Sequence, residues 1–287
     1  MAQEVRGASR FHRVGARHRL TARRGRVVSV TEVAPVMLRV RLTGPDFADF
    51  ASDGPSDHAR VYFPDPDTGE YNHPEPAGPG EDGVIRPDGP AFPRDFTPLH
   101  IVRDGDDVAV ELDFFLHPSA GPASRWAARA EPGDELVVAG PRGSRGAPQG
   151  ASRLLVFADE TALPAAARFA REVPASTSVD VVAVTGDDGA WVPGYLADAS
   201  GRSDIRMQHV EGPAEGDALV QALAGIDPID EGTFVFAAGE ASALLPLRRH
   251  LRGALGLPHE QTAISGYWRR GVVAFDHHTP VDPEDPD

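Results

Sequence analysis

Leu154-Leu155-Val156-Phe157-Ala158-Asp159-Glu160-Thr161 decides the fold. Five apolar residues in unbroken succession leave no polar face, so a strand built from them is covered on both sides. The acidic residues end the run, and a helix-like stretch at 162–172 follows. Downstream the grammar repeats, with apolar runs at 179–184 and 233–237 and a weaker one at 205–210. Helix-like stretches lie at 216–224 and, behind Gly239-Glu240, at 241–253. Strand–helix–strand alternation predicts a parallel α/β domain over residues 152–276.

Upstream of the Gly, Ser, Arg and Pro-rich stretch 143–152 the pattern differs. Short β-rich runs at 26–30, 36–42, 59–63, 108–116 and 135–139 are separated by Gly, Pro and Asp turns. Val108, Val110, Leu112, Phe114 and Leu116 alternate with other residues, the period of a half-buried strand. Many short strands with little helix predict a closed antiparallel β-barrel of the six-stranded type over residues 19–148. Residues 64–93, rich in Pro, Gly and acids, read as a long mobile loop within it. Residues 1–18 read as a basic flexible arm and 277–287 as an acidic disordered tail. The fold class is therefore β followed by α/β.

Composition narrows the chemistry. The 287 residues, with 41% hydrophobic, suffice for two domains. No apolar run approaches the roughly 18–20 residues of a membrane span, and the N-terminus has no apolar h-region. A cytoplasmic protein without membrane insertion is expected. The chain has no cysteine and no lysine, which excludes disulfides, iron–sulfur clusters, thiol nucleophiles, Schiff bases and the usual lysine-bearing phosphate loop. Redox chemistry would need a bound organic cofactor. The net charge of −15 argues against nucleic acid as the main ligand, despite eight arginines against one acid in residues 1–26.

Several segments carry chemistry. Gly266-Tyr267-Trp268-Arg269-Arg270-Gly271 offers flat rings and fixed positive charge. In Arg94-Asp95-Phe96-Thr97 a guanidinium can clamp a diphosphate, an aromatic on the same side of the strand can cover a flat ring, and a hydroxyl can hydrogen-bond it. His117 precedes Gly121-Pro122-Ala123-Ser124, where free amides ahead of a helix at 124–129 would suit phosphate; simple capping by Ser124 reads equally well. Asp159-Glu160-Thr161 and Gly239-Glu240 follow strands, where doubly wound sheets place ligands, although no Gly-x-Gly-x-x-Gly is present.

Taken in order, these segments resemble the siderophore-interacting protein family of the ferredoxin-reductase superfamily. The Arg-x-Phe-Thr-Pro element, the His117 to Trp126 block, Pro132-Gly133-Asp134, Gly140-Pro141-Arg142-Gly143, Asp159 to Pro164, Ala238-Gly239-Glu240 and Gly266 to Arg269 carry it, from about residue 19 to 275. The resemblance implies an FAD-dependent ferric-siderophore reductase, with FAD in the barrel, NAD(P)H in the second domain and hydride passing between them. It places Arg94, Phe96, Thr97, His117 and Gly121, Pro122, Ala123 and Ser124 at the flavin. Asp159, Glu160, Thr161, Gly239 and Glu240 fall on the nicotinamide side, with Tyr267 and Trp268 near the flavin. Arg60 and Arg269 are candidates for an anionic ferric siderophore; no catalytic residue and no resident metal are expected. Phe96 departs from the usual tyrosine, Leu99 stands where an arginine is common, and Ala158 replaces a frequent glycine. Asp187 and Asp188 could repel a 2′-phosphate, a lean to NADH. Ferredoxin is an alternative donor. A general flavin or quinone reductase and a siderophore-binding module without turnover are the rival readings.

Overall fold

The structure, a computed structural model, describes residues 9–105, 107–117 and 121–286. Residues 1–8 of the basic arm, Pro118, Ser119 and Ala120 of the quoted block, and the tail residue Asp287 lie outside them. Two compact units result. Residues 15–146 form one, and 9–14 together with 147–286 form the other.

The first unit contains β1 (Gly15–Arg17), β2 (Ala22–Ala34), β3 (Met37–Thr43), β4 (Ala59–Phe63), β5 (Glu75–Pro76), β6 (Val84–Ile85), β7 (Phe92–Phe96), β8 (Pro98–Asp104), β9 (Asp107–Phe115), helix α1 (Pro122–Ala127), β10 (Glu135–Ala139) and β11 (Gly143–Arg145). Seven strands make one antiparallel sheet in the order β7-β4-β10-β2-β3-β9-β8, curled as a half-barrel. Its concave core includes Val40, Leu42, Phe47, Phe50, Phe63, Val110, Leu112 and Phe114. The barrel was expected to close. Instead the ladder begins at β7 and ends at β8, strands joined by the single residue Thr97. Both carry proline (Pro93 and Pro98), which lacks the N–H a further ladder needs and suits a sheet edge.

The alternation seen from 108 to 114 buries Val108, Val110, Leu112 and Phe114 as expected. Glu111 and Asp113 between them are buried too. Register sets Arg39 opposite Asp113 and Arg41 opposite Glu111. Arg39 binds Asp113 through two N–H···O bonds of 2.8 and 3.0 Å, and Glu111 accepts from Arg41 and pairs with His100 at 2.7 Å. The bond from His100, with Arg41 adding to it and burial opposing, brings the Glu111 carboxyl from 4.5 down to about 2. A carboxyl held below its unfolded value contributes stability at neutral pH that fades as pH falls between those two values. Glu111→Gln should therefore flatten the acid limb of the unfolding midpoint between about pH 4.5 and 2. An acid limb of unchanged slope would contradict this.

Three segments read as mobile are tied down where they are described. Within 64–93, β5 pairs with β6. The Tyr71 hydroxyl donates to the Tyr62 carbonyl and accepts from the Val137 amide, and burial pushes it up to about 12. From residue 9 the basic arm is held as well: Phe11 is buried with its ring 5.9 Å from that of Phe234, and Arg13 lies over the Phe169 and Phe234 rings. β1 pairs with β11. The acidic tail is seated through Val281 and Asp282, both buried, while Asp282 and Glu284 accept from Arg249 and the Asp285 carbonyl accepts from Arg248. Local composition suggested disorder; charge compensation by a distant arginine cluster supplies the order.

The second unit runs β12 (Arg153–Asp159), α2 (Leu163–Glu172), β13 (Ser178–Thr185), α3 (Val192–Ser200), β14 (Arg206–Glu211), α4 (Ala218–Ala224), β15 (Thr233–Glu240), α5 (Ala241–Arg249) and β16 (Thr262–Trp268). Its five-stranded parallel sheet has the order β14-β13-β12-β15-β16. Every residue of β12 is buried, as its unbroken apolar run requires. The chain leaves β12 toward β13 on one side and later fills β15 on the other. The carboxyl ends of β12 and β15 therefore flank a topological switch point, the usual ligand crevice of such sheets. Among the described residues no helix is long and apolar enough to cross a membrane.

Candidate functional site

The switch point of the α/β unit is organised by the two acids that end β12. The Asp159 carboxylate is buried and accepts four hydrogen bonds. One oxygen takes the Thr161 amide at 3.0 Å and its hydroxyl at 2.6 Å. The other takes the Glu240 amide at 2.9 Å and the Trp268 indole N–H at 2.7 Å. Burial drives its pKa upward, and these donors pull it back. Glu160 reaches the other way and accepts the Gly186 amide at 2.7 Å, beyond the end of β13; its pKa is also raised, first by burial. Glu240 caps α5 by accepting from the Ala243 amide and also accepts from the Arg270 amide. Gly239, at φ 140°, has no room for a side chain: a Cβ there would lie 2.5 Å from an Asp159 oxygen.

The structure thus brings Asp159, Glu160, Thr161, Gly239, Glu240 and Trp268 to one edge. It also adds the backbone amides of Gly186 and Arg270, of which the sequence had singled out Arg270 only for its fixed charge. The tie from Arg270 runs through its backbone amide, so its side chain carries no signal of it. Trp268 is 38% exposed, leaving an indole face available beside the crevice. Tyr267 is half-buried. The Arg269 guanidinium sits 5.4 Å over the Phe275 ring, and its buried Nε has no hydrogen-bond partner among the described residues.

The turn expected to disfavour a 2′-phosphate spends its acids internally. Asp187 accepts from the Trp191 indole and the Gly189 amide, and Asp188 accepts from the Ala190 amide. Both acids are exposed and keep further acceptor capacity, and the lean to NADH is not confirmed.

In the sheet unit the edge strand β7 carries Arg94 and Phe96. Arg94 is half-buried and donates to the Pro93 carbonyl at 2.7 Å. Burial pulls its pKa down, opposed by the charge of Asp95. Asp95 itself is taken bidentately by Arg60, at 2.8 and 2.9 Å. No carboxylate is within ion-pair reach of Arg94 among the described residues, which leaves its half-buried charge without an ion pair. The same pairing leaves Arg60 largely neutralised, a poorer anchor for an anionic substrate than its sequence position suggested.

Phe96 spends part of its surface on the core, its ring 4.4 Å from that of Phe114; Thr97 beside it is buried. Leu99 is fully buried, so the position where an arginine is common here serves the core. His117 is half-buried, which lowers its pKa. Helix α1 starts at Pro122, not at 124. Ser124 is not its cap: the hydroxyl donates to the Phe115 carbonyl at 3.1 Å, and the Gly121 N-cap makes no side-chain bond. Among the described residues a Cβ built on Gly121 would meet nothing within 4 Å, which leaves room for a ligand beside this backbone. Ala123 packs against the core, and Trp126 lies within it. An unpaired half-buried guanidinium and an open glycine backbone are what a diphosphate-bearing flavin needs from a protein. The residues present fit FAD.

Comparison with known proteins agrees with this geometry. Residues 26–145 match a family model described as a siderophore-interacting FAD-binding domain, and residues 151–271 match one described as siderophore-interacting protein. The chain is 32% identical over 248 residues to the NADPH-dependent ferric-chelate reductase of Escherichia coli, covering 84% of this chain and 91% of that protein. Among solved structures it resembles a siderophore utilization protein from T. fusca, with TM-score 0.79, 37% identity, and 93% and 100% of the two chains covered. It also resembles the siderophore-interacting protein SipS from Aeromonas hydrophila, with TM-score 0.69, 26% identity, and 88% and 94% covered.

Proposed function

The chain belongs to the siderophore-interacting protein family, and from that premise we propose that it is an FAD-dependent reductase that moves electrons from a reduced nicotinamide nucleotide to Fe(III) in a siderophore, releasing Fe(II). The observation that carries this reading is Arg94, a half-buried cation with no carboxylate of its own, on the unit whose family model binds FAD. Arg94, with the open backbone at Gly121 and the neighbouring Pro122 and Ala123, would hold the diphosphate. Phe96, Thr97 and His117 would border the ring and ribityl chain. Bound FAD would supply the conversion of a two-electron hydride into single electrons.

On the second unit, the crevice between β12 and β15 would receive the nucleotide. There Thr161, Gly239 and Glu240 shape the backbone it meets, and Trp268 with Tyr267, which the resemblance puts near the flavin, ends the adjoining strand and offers ring surface to a planar group. Arg269, which has no ion-pair partner among the described residues, is the better placed of the two candidate arginines for the anionic ferric complex. No side chain need exchange a proton with iron: Fe(II) binds hard oxygen ligands less tightly, so reduction itself loosens the cargo. We place the reaction in the cytoplasm, with NADPH or NADH as donor and reduced ferredoxin as the alternative.

The test is an anaerobic absorbance series on purified protein reconstituted with FAD. Stoichiometric flavin uptake, bleaching by NADPH or NADH, and recovery of colour on adding a ferric siderophore with an Fe(II) trap are expected. Protein that takes up no FAD ends the proposal. Bleaching with faster reoxidation by quinones or free flavin than by ferric siderophores would favour the general reductase, a reading for which the Arg60–Asp95 pairing speaks.

A further inference from the structure

The acids that end β12 were expected to touch the nucleotide. Their geometry gives them a different task. Four donor groups face the Asp159 carboxyl, the Thr161 amide and hydroxyl on one oxygen and the Glu240 amide and Trp268 indole on the other, so the oxygen that meets the indole acts as an acceptor. Those donors come from three strand ends: Thr161 behind β12, Glu240 at the end of β15 and Trp268 at the end of β16. Glu160 ties the fourth, the turn after β13. Three of the donors on Asp159 are fixed by short local turns or by backbone. The Trp268 indole is the exception: it is exposed, terminal on an edge strand, and free to rotate about its side-chain bonds without that single N–H···O contact.

We propose that Asp159 is a positioning residue: it does not bind the nicotinamide nucleotide but clamps the Trp268 indole in the orientation that the nucleotide meets. The inference rests on the reading of this crevice as the nucleotide site. Asparagine keeps the shape and reverses one end. If its carbonyl stays toward Thr161, its NH2 meets two donors, the Glu240 amide and the indole N–H. If it flips, it conflicts with Thr161. In the first orientation the mobile partner, Trp268, is the one that can leave; in the second the carbonyl keeps the indole and the strain falls on Thr161. Trp268→Phe is therefore the decisive variant, and Asp159→Asn tests the first orientation.

The test uses full-length protein and measures NADP+ binding by calorimetry beside FAD content, unfolding midpoint and near-ultraviolet circular dichroism. Asp159→Asn and Trp268→Phe are each expected to weaken NADP+ binding about tenfold with FAD content unchanged. The double variant should be no weaker than either single one, because both remove the same contact. Asp159→Asn should also alter the tryptophan dichroism, a signal absent from the Trp268→Phe background. Wild-type binding by Trp268→Phe overturns the proposal, as does a hundredfold, additive loss in the double variant. So does an Asp159→Asn protein that loses stability and FAD together while binding NADP+ normally. Should Asp159→Asn not fold, Trp268→Phe decides alone. Wild-type protein that binds no NADP+ at all, by contrast, would remove the premise rather than the clamp.

Discussion

Arg94→Ala is expected to yield a folded protein that purifies colourless and binds FAD thirtyfold to over a hundredfold more weakly than the parent. The magnitude follows from charge-assisted hydrogen bonds to phosphate, about 2–3 kcal/mol for their loss. The fold should survive because Arg94 lies on an edge strand and donates only to the neighbouring Pro93 carbonyl. Removing a cation held half-buried without a carboxylate relieves a desolvation cost. Arg94→Lys restores charge but not the planar fork that takes two phosphate oxygens at once, so it should recover only part of the affinity. Flavin-fluorescence titration of stripped protein, with an unfolding curve for each variant, measures both quantities. An alanine variant that binds FAD as tightly as the parent would remove Arg94 from the flavin site.

Gly239→Ala is expected to be a severely damaging single methyl group at the switch point of the α/β unit. At φ 140° its Cβ would stand 2.5 Å from one Asp159 oxygen and 2.6 Å from the carboxyl carbon. Strained backbone and a displaced buried carboxylate together cost about 3 kcal/mol or more, a large part of the ~5–15 kcal/mol that a domain possesses. The unfolding midpoint should fall, and NADP+ binding should weaken with it because Asp159 loses its place beside Trp268. Gly121→Ala supplies the contrast. Its Cβ would meet nothing within 4 Å among the described residues and its φ is −78°, so stability should hold while FAD affinity alone responds. A Gly239→Ala protein with the parent's unfolding curve would refute the packing argument.

What the sequence could reveal follows the range of the forces involved. The unbroken run at 154–158 and the alternation from 108 report burial directly, and β4 and β10 fall on the bounds their runs suggested, Ala59–Phe63 and Glu135–Ala139. Helix α3 escaped notice because it opens on Val192-Pro193-Gly194, residues that weaken a helical pattern although its apolar face is buried. Strand β7 was legible through Arg94 to Phe96, whereas β8 hid behind Pro98. β16 hid behind Gly266, which is small because a Cβ there would lie 2.7 Å from that of Ala241. The site residues were legible by type, since arginine, glycine and tryptophan in those segments are costly unless used. Their roles were not. The donors that define Asp159 stand 81 and 109 residues away, and the carboxylate that neutralises Arg60 lies 35 away. No local pattern records such partners.

Phe11 carries a consequence for how this molecule is made and dissected. It belongs to the lobe whose remaining residues begin at Ala147, and its ring rests on Phe234. The hexapeptide at 9–14 therefore leaves the ribosome long before the surface that receives it, and must wait while well over two hundred residues emerge. A fragment cut to begin at Ala147 would expose Phe169 and Phe234 to water and invite aggregation. A graft of this lobe onto another partner must carry those six residues along, as a separate strand if need be.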